Sequence, residues 1–214
     1  MIKKISVYTK ILVLTLLLVS GRVNAEENHS KTVSPQDLAT YKNDIERIEK
    51  YLNSIKTLVA PFTQTSSDDG NADGTFYLSR PGKLRWEYNP PTPILIIAKG
   101  SLLTYYDSEL NQVSHISLDD GLSGFLTREN ISFGSKDISI LKFTKENGKI
   151  EITISQKQKE EEGSLTLRFS DETAELSGMT VTDAIGKTTT IDFITLVYDK
   201  PISTKLFSLP KVKK

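Results

Sequence analysis

The 214 residues, 37% hydrophobic and 25% charged, have the composition of one soluble globular domain and not of a disordered chain. The formal charge of zero hides an asymmetry: residues 1–25 hold Lys3, Lys4, Lys10 and Arg22 with no acid, leaving 23 basic against 27 acidic residues, a net charge of −4, on the remainder. That balance argues against charge-driven binding of nucleic acid or anionic membrane, while the lack of cysteine, with only His29 and His115 present, excludes disulfides, thiol nucleophiles, cysteine-ligated metals and histidine-rich metal sites.

The N-terminus carries three lysines, an apolar run Ile11–Val19 and the compact sequence Val23-Asn24-Ala25. This is the layout of a secretory signal peptide, and the run is well short of the ~20 residues that span a bilayer. The expectation is a cleaved signal over 1–25, a single exported domain over 26–214, and the periplasm as its address. No cysteine follows the apolar run, so acylation on an N-terminal cysteine is excluded.

Ser34-Pro35-Gln36-Asp37 has the form of a helix start. Leu38, Tyr41, Ile45, Ile48, Leu52, Ile55 and Val59 then recur at steps of three and four, which predicts one amphipathic helix ending before Pro61. Its apolar stripe must be buried, either as ordinary core against a sheet or along the mouth of a cavity. From Ala60 onward the period changes to two. Strands are predicted at Thr75–Arg80, Lys83–Tyr88, Ile94–Ala98, Leu102–Tyr106, Gln112–Ser117, Ile138–Phe143, Ile150–Ser155, Leu165–Ser170, Leu176–Thr182 and Thr188–Leu196, joined by Gly-, Asn- and Asp-containing turns. So many strands in one chain predict a barrel or a strongly curved sheet. Between them, Asp119–Arg128 places Leu122, Phe125 and Leu126 at helical spacing, a short helix that must lie on the sheet to be stable. Phe207-Ser208-Leu209-Pro210 reads as a docked end before a basic tail.

No catalytic constellation emerges. Gly121-Leu122-Ser123-Gly124 misses the spacing of a nucleophile elbow, neither histidine stands in a metal-binding pattern, and no glycine loop suits a phosphate. Asp119-Asp120 suits the start of a helix better than acid–base work. The informative segment is Phe76–Tyr88. Phe76, Leu78 and Arg80 share one face of the first strand, and after Pro81-Gly82 the residues Leu84, Trp86 and Tyr88 continue it, opposite Lys83, Arg85 and Glu87. Arg80 is therefore a cation in phase with an apolar face. Either it snorkels to water at the strand end, or its donors reach carbonyl oxygens of the covering segment Asp119–Arg128.

Phe62-Thr63-Gln64, Gly74, Arg80-Pro81-Gly82, Trp86 and Tyr88, followed by Pro93-Ile94-Leu95-Ile96 and by Gly100 ahead of Tyr105-Tyr106-Asp107, strongly resemble the LolA family of periplasmic outer-membrane lipoprotein carriers. The resemblance runs from about Leu52 to Phe207 and is most specific at the arginine–proline pair and the tryptophan after it. It implies an α+β, mainly β fold: an unclosed antiparallel β-barrel, strongly curved, with an N-terminal helix and a short helical lid. It also implies a hydrophobic cavity for acyl chains lined by Phe62, Phe76, Leu78, Leu84, Trp86, Tyr88, Ile94 and Ile96, a lid carrying Leu122, Phe125 and Leu126, and closure of that lid by Arg80. The partners so implied are acylated lipoproteins, an inner-membrane ABC transporter complex that releases them and an outer-membrane lipoprotein receptor. The expected protein is a monomer and not an enzyme, with no cofactor, metal or nucleic acid. The reading from residues alone leaves open an exported β-rich interaction or lipid-binding domain with no transfer role, its sheet filled by its own side chains.

Overall fold

The computed structural model describes residues 35–68, 70–118 and 122–210. The signal read over 1–25, His29, Asp119, Asp120 and the basic tail after Pro210 lie outside the described residues.

The N-terminal stripe forms two helices, α1 (Pro35–Thr40) and α2 (Lys42–Ser54), separated at Tyr41. Ile48 and Leu52 of α2 are fully buried. The helix ends at Ser54, five residues earlier than the periodicity predicts, and Leu58 and Val59 enter a strand, β1 (Thr57–Ser66). Thr57-Leu58-Val59-Ala60 suits either structure, because short apolar runs do not distinguish helix from strand by period alone. Pro61 argues for a break, yet it sits inside β1 where its missing N–H costs little. On one side β1 pairs with β2 throughout; on the other it meets β12 at Leu58 and Val59 and β11 from Phe62 onward, so Pro61 falls in the gap between two partners. Its carbonyl still accepts from the Ile194 N–H at 2.9 Å.

The remaining strands are β2 (Asn71–Ser79), β3 (Lys83–Tyr88), β4 (Ile94–Lys99), β5 (Leu102–Asp107), β6 (Gln112–Ser117), β7 (Ile138–Glu146), β8 (Lys149–Gln156), β9 (Gly163–Ser170), β10 (Leu176–Asp183), β11 (Thr188–Phe193) and β12 (Val197–Tyr198). The ten predicted strands fall on β2 to β11, whereas β1 and β12 are not predicted. All twelve belong to one antiparallel sheet in the order β6-β5-β4-β3-β2-β1-β11-β10-β9-β8-β7, with β12 beside β1. Its ends, β6 and β7, do not pair with each other.

The expectation of an unclosed, strongly curved barrel is corrected here: the fold is mainly β with an open twelve-stranded sheet that is not strongly curved. Alternation specifies that strands form and which way they face, but curvature enters through bulges and glycine kinks. The ladders shift register at only two places, Leu176/Gly178 and Ile140/Lys142. The predicted helical lid is also smaller than expected. Among the described residues of that segment only Phe125–Thr127 is helical, as a single 3-10 turn, consistent with the high cost of nucleating a helix in so short a stretch.

One face of the sheet carries the main core, to which α2 contributes Ile48 and Leu52 and the cover segment Phe125, Leu126, Ile131 and Phe133. The opposite face of β2–β5 is covered by the chain end, where Leu95, Ile97 and Tyr106 enclose Phe207. Here Arg85, on the charged face predicted for β3, is only 8% exposed. It donates through Nη1 to the Leu206 carbonyl at 3.0 Å and through Nε and Nη2 to the two Glu87 carboxylate oxygens at 3.0 and 2.8 Å. A buried guanidinium needs such partners, and Glu87 orients it for the chain end.

Hydrogen bonds from Arg85 hold the Glu87 carboxyl below the usual range. A carboxylate with a lowered folded-state pKa stabilises the fold above its unfolded value, about 4.3, and loses that contribution as pH falls through the folded value. Acidification from about pH 6 to about pH 3 should therefore lower amide protection around Leu206 and Phe207, taken relative to the intrinsic exchange rate at each pH, more in the wild type than in Glu87→Gln, as read by hydrogen-exchange mass spectrometry.

Candidate functional site

The alternation of β2 and β3 brings Phe76 opposite Trp86 and Leu78 opposite Leu84, so the apolar hairpin face predicted from sequence is continuous across both strands. Phe76 and Trp86 lie with ring centroids 4.2 Å apart, and Phe62 meets the edges of Trp86 and Tyr88 at 5.0 and 5.3 Å. Ile96 pairs with Trp86 from β4. The Tyr88 hydroxyl, deep in this cluster, donates to Gln64 Oε1 at 2.6 Å; burial raises its pKa above the ordinary tyrosine value, with a smaller contribution from Tyr105.

Beside this aromatic cluster lies an open cleft of about 800 Å³, its mouth included. Phe76, Leu84, Trp86 and Leu103 form one wall, Leu165, Met179 and Val181 of β9 and β10 another, and Leu122 and Leu126 the cover. Ser164, Thr182 and Asp183 add a polar edge. The lining combines a predominantly apolar wall with a few polar groups, the chemistry common to ligand clefts.

Of the eight residues expected to line a cavity, Phe76, Leu84 and Trp86 do so. Phe62, Leu78, Tyr88, Ile94 and Ile96 are buried in the same core cluster, beside the lining of this cleft and not part of it. Of the three cover residues, Leu122 and Leu126 face the cleft, while Phe125 is buried against Phe133 at 5.5 Å. Leu103, Leu165, Met179 and Val181 escape sequence reasoning. Their strands are legible and their inward phase follows from alternation, but nothing in the order of the chain shows that β9 and β10 lie across the cleft from β3.

Arg80 turns inward and does not snorkel to water. Nε donates to the Ile55 carbonyl at the end of α2 at 3.0 Å, and Nη1 to the Arg128 carbonyl on the cover segment at 3.2 Å. Nη2 is buried with no hydrogen-bond partner among the described residues. Burial lowers the pKa of the guanidinium from its ordinary value, but arginine keeps its charge in proteins. The covering segment is thus one of two elements that Arg80 reaches, the other being the helix end. Beside it the Gly82 N–H donates to the Thr127 carbonyl at 2.8 Å; Gly82 has φ +74°, a left-handed conformation that glycine adopts without the Cβ clash of other residues.

His115 is exposed on β6, its Nδ1 at 3.0 Å from Thr104 Oγ1. Among the described residues no group of three or more acidic or histidine side chains is placed to hold a metal.

A family model described as outer membrane lipoprotein carrier protein LolA matches residues 53–210. An outer-membrane lipoprotein carrier protein of Methylococcus capsulatus is 32% identical over 174 residues, covering 75% of this chain and 80% of its own. One from Cupriavidus necator is 29% identical over 183 residues, covering 78% and 84%. Among solved structures, a DUF1329-family protein of Desulfovibrio piger superposes with a TM-score of 0.50 at 10% identity, covering 80% of this chain and 98% of that one, a likeness of fold.

Trp86 is 3% exposed and packed against Phe62 and Phe76, so Trp86→Ala removes core as well as cleft wall and should cost about 3–5 kcal/mol in a denaturant titration. Leu122→Ala, at a half-buried cover position, should cost less than about 1 kcal/mol and so probe the cleft with the fold intact.

Proposed function

The chain belongs to the LolA family of outer-membrane lipoprotein carrier proteins, and on that premise we propose that its cleft receives the acyl chains of lipoproteins in transit. It is a periplasmic, non-catalytic carrier. In this reading residues 1–25 direct export and are removed, and the domain over 26–214 acts as a monomer. It takes acylated lipoproteins from an inner-membrane ABC transporter complex and passes them to a lipoprotein receptor at the outer membrane.

The observation that carries the reading is an apolar cleft under a short cover pinned by one inward-turned cation. Burying an acyl chain contributes on the order of 0.8 kcal/mol per methylene, so one long chain fully enclosed gains roughly 10 kcal/mol. A carrier that enclosed two or three chains so well would not release them. Closure supplies the opposing term. Loading separates the cover from Arg80, giving up a hydrogen bond to a charged group worth about 1.5–3 kcal/mol. The closed empty state is favoured by that amount, and net affinity for cargo falls accordingly. The second Arg80 bond, to the helix end, keeps the guanidinium partly satisfied while the cover is away, which limits the cost of leaving a buried cation unpaired. Phe62, Leu78, Tyr88, Ile94 and Ile96 act in this reading as the packed backing that holds the cleft wall in place.

The test is co-purification from a periplasm that makes lipoproteins, followed by native mass spectrometry. The wild type should carry acylated protein and give it up to an outer-membrane receptor. Arg80→Leu should retain cargo longer and transfer it less. A clean unloaded mass, with no uptake when the transporter complex offers lipoprotein, would replace the carrier reading by that of an exported interaction domain filled by its own side chains. Normal transfer by Arg80→Leu would remove that residue from the mechanism.

A further inference from the structure

Besides the Arg128 side chain, which pairs with Asp137 and donates to Ser135 Oγ, the cover segment is fastened through its backbone at two places of unequal strength. At Thr127 and Arg128 two bonds arrive from the β2–β3 turn: the Gly82 N–H to the Thr127 carbonyl at 2.8 Å and Arg80 Nη1 to the Arg128 carbonyl at 3.2 Å. At residues 131–133 four bonds run to α2. Asn53 donates through Nδ2 to the Ile131 carbonyl at 2.8 Å and accepts from the Ile131 N–H through Oδ1 at 2.8 Å. Glu49 Oε1 accepts from the Phe133 N–H at 2.7 Å and from Ser132 Oγ at 3.1 Å. Glu49 and Asn53 are four residues apart and therefore share a face of the helix. Asn53 pairs with the Ile131 peptide through both of its polar groups, as a neighbouring strand would. Ile131 and Phe133 themselves are buried in the core.

The helix that holds them is in turn held to the sheet. Arg47 donates to the Asp171 carbonyl at 2.6 Å and to its carboxylate at 3.1 Å, in the β9–β10 turn, and Lys145 of β7 pairs with both Asp44 and Asp171. The Tyr51 hydroxyl lies 2.8 Å from that of Tyr198 on β12 and accepts from the Leu176 N–H on β10 at 3.1 Å. Between the two fastenings lie only Glu129 and Asn130, both exposed.

We infer that Asn53 and Glu49 are positioning residues for cargo transfer: they fix residues 131–133 to a helix tied to the sheet, so that only Leu122–Arg128 leaves the cleft when the cover opens. This rests on the reading of that segment as a movable cover. The chain bends at Glu129–Asn130, where no buried side chain resists it. Leu122 and Leu126 come away from the cleft, while Ile131 and Phe133 stay in the core. Opening is then a short local excursion that leaves the packing of α2 untouched, and the fastening to α2, with four bonds of which two are charge-assisted by Glu49, is harder to break than the pair at Thr127 and Arg128, of which one is charge-assisted.

Three amides report the two fastenings separately: Gly82 loses its acceptor when the segment leaves, and Ile131 and Phe133 lose theirs only if the clip to α2 opens. The experiment is amide exchange by NMR on the purified protein, empty and loaded with a synthetic peptide whose N-terminal cysteine bears three palmitoyl chains. Loading should speed exchange at Gly82 by about tenfold or more and leave Ile131 and Phe133 within about twofold of the empty protein. In the empty protein Asn53→Ala should speed Ile131. Glu49→Ala should speed Phe133, and Glu49→Gln, which keeps a carbonyl acceptor, should largely restore it. Acceleration of Ile131 and Phe133 together with Gly82 on loading would overturn the inference and leave the movable cover standing. No change at Gly82 on confirmed loading would overturn both.

Discussion

The structure turns on a cation placed on an apolar face. Arg80 ends a strand whose other inward residues are Phe76 and Leu78, and its guanidinium has to be taken out of water for the sheet to be covered there. Desolvating a charge is costly unless its donors are satisfied. Two are, by carbonyls from elements far apart in the chain, Ile55 and Arg128, and a third nitrogen has no partner among the described residues. The same side chain therefore joins helix, sheet and cover, and does so incompletely. The arginine ties the cover to the sheet by one directional bond, at the Arg128 carbonyl.

The rest of the inner face is built for permanence. Phe62, Trp86 and Tyr88 pack edge to face and Phe76 lies across Trp86, arrangements that add to the stabilisation from area burial. Phe76 and Trp86 of this cluster wall the cleft, and the space beside them is bounded by aliphatic side chains from strands on both sides of β1. Such a wall offers contact area and few directional groups.

Much of this was legible in the sequence, and the failures have physical causes. The Phe76–Tyr88 hairpin face was readable because period-two alternation reports facing directly. The phase of Arg80 placed it on the apolar face and left open whether it snorkels to water or reaches carbonyls of Asp119–Arg128; the Ile55 carbonyl, 25 residues away on the helix end, was not legible. β1 was hidden because a β-rich run continuing a helical stripe satisfies both periods, and because Pro61 is forbidden in a strand only where a partner needs its N–H. The clip from Asn53 and Glu49 to residues 131–133 was invisible: on α2 these two residues look like any solvated face, and only the arrival of a remote peptide gives them a function.

By itself, then, the sequence determined the class of the chain, the positions of ten strands, the apolar and charged faces of the central hairpin, and the misfit of Arg80 on the apolar one, all properties of local period and residue chemistry. Only the tertiary structure decided that the sheet stays open and is not strongly curved, that β9 and β10 supply the far wall of the cleft, and that the cover is clipped to α2. Alternation along a strand says which way a side chain points. It carries no information about what stands opposite, because that depends on register between strands far apart in the chain and on loops whose contacts are made only once the sheet has formed.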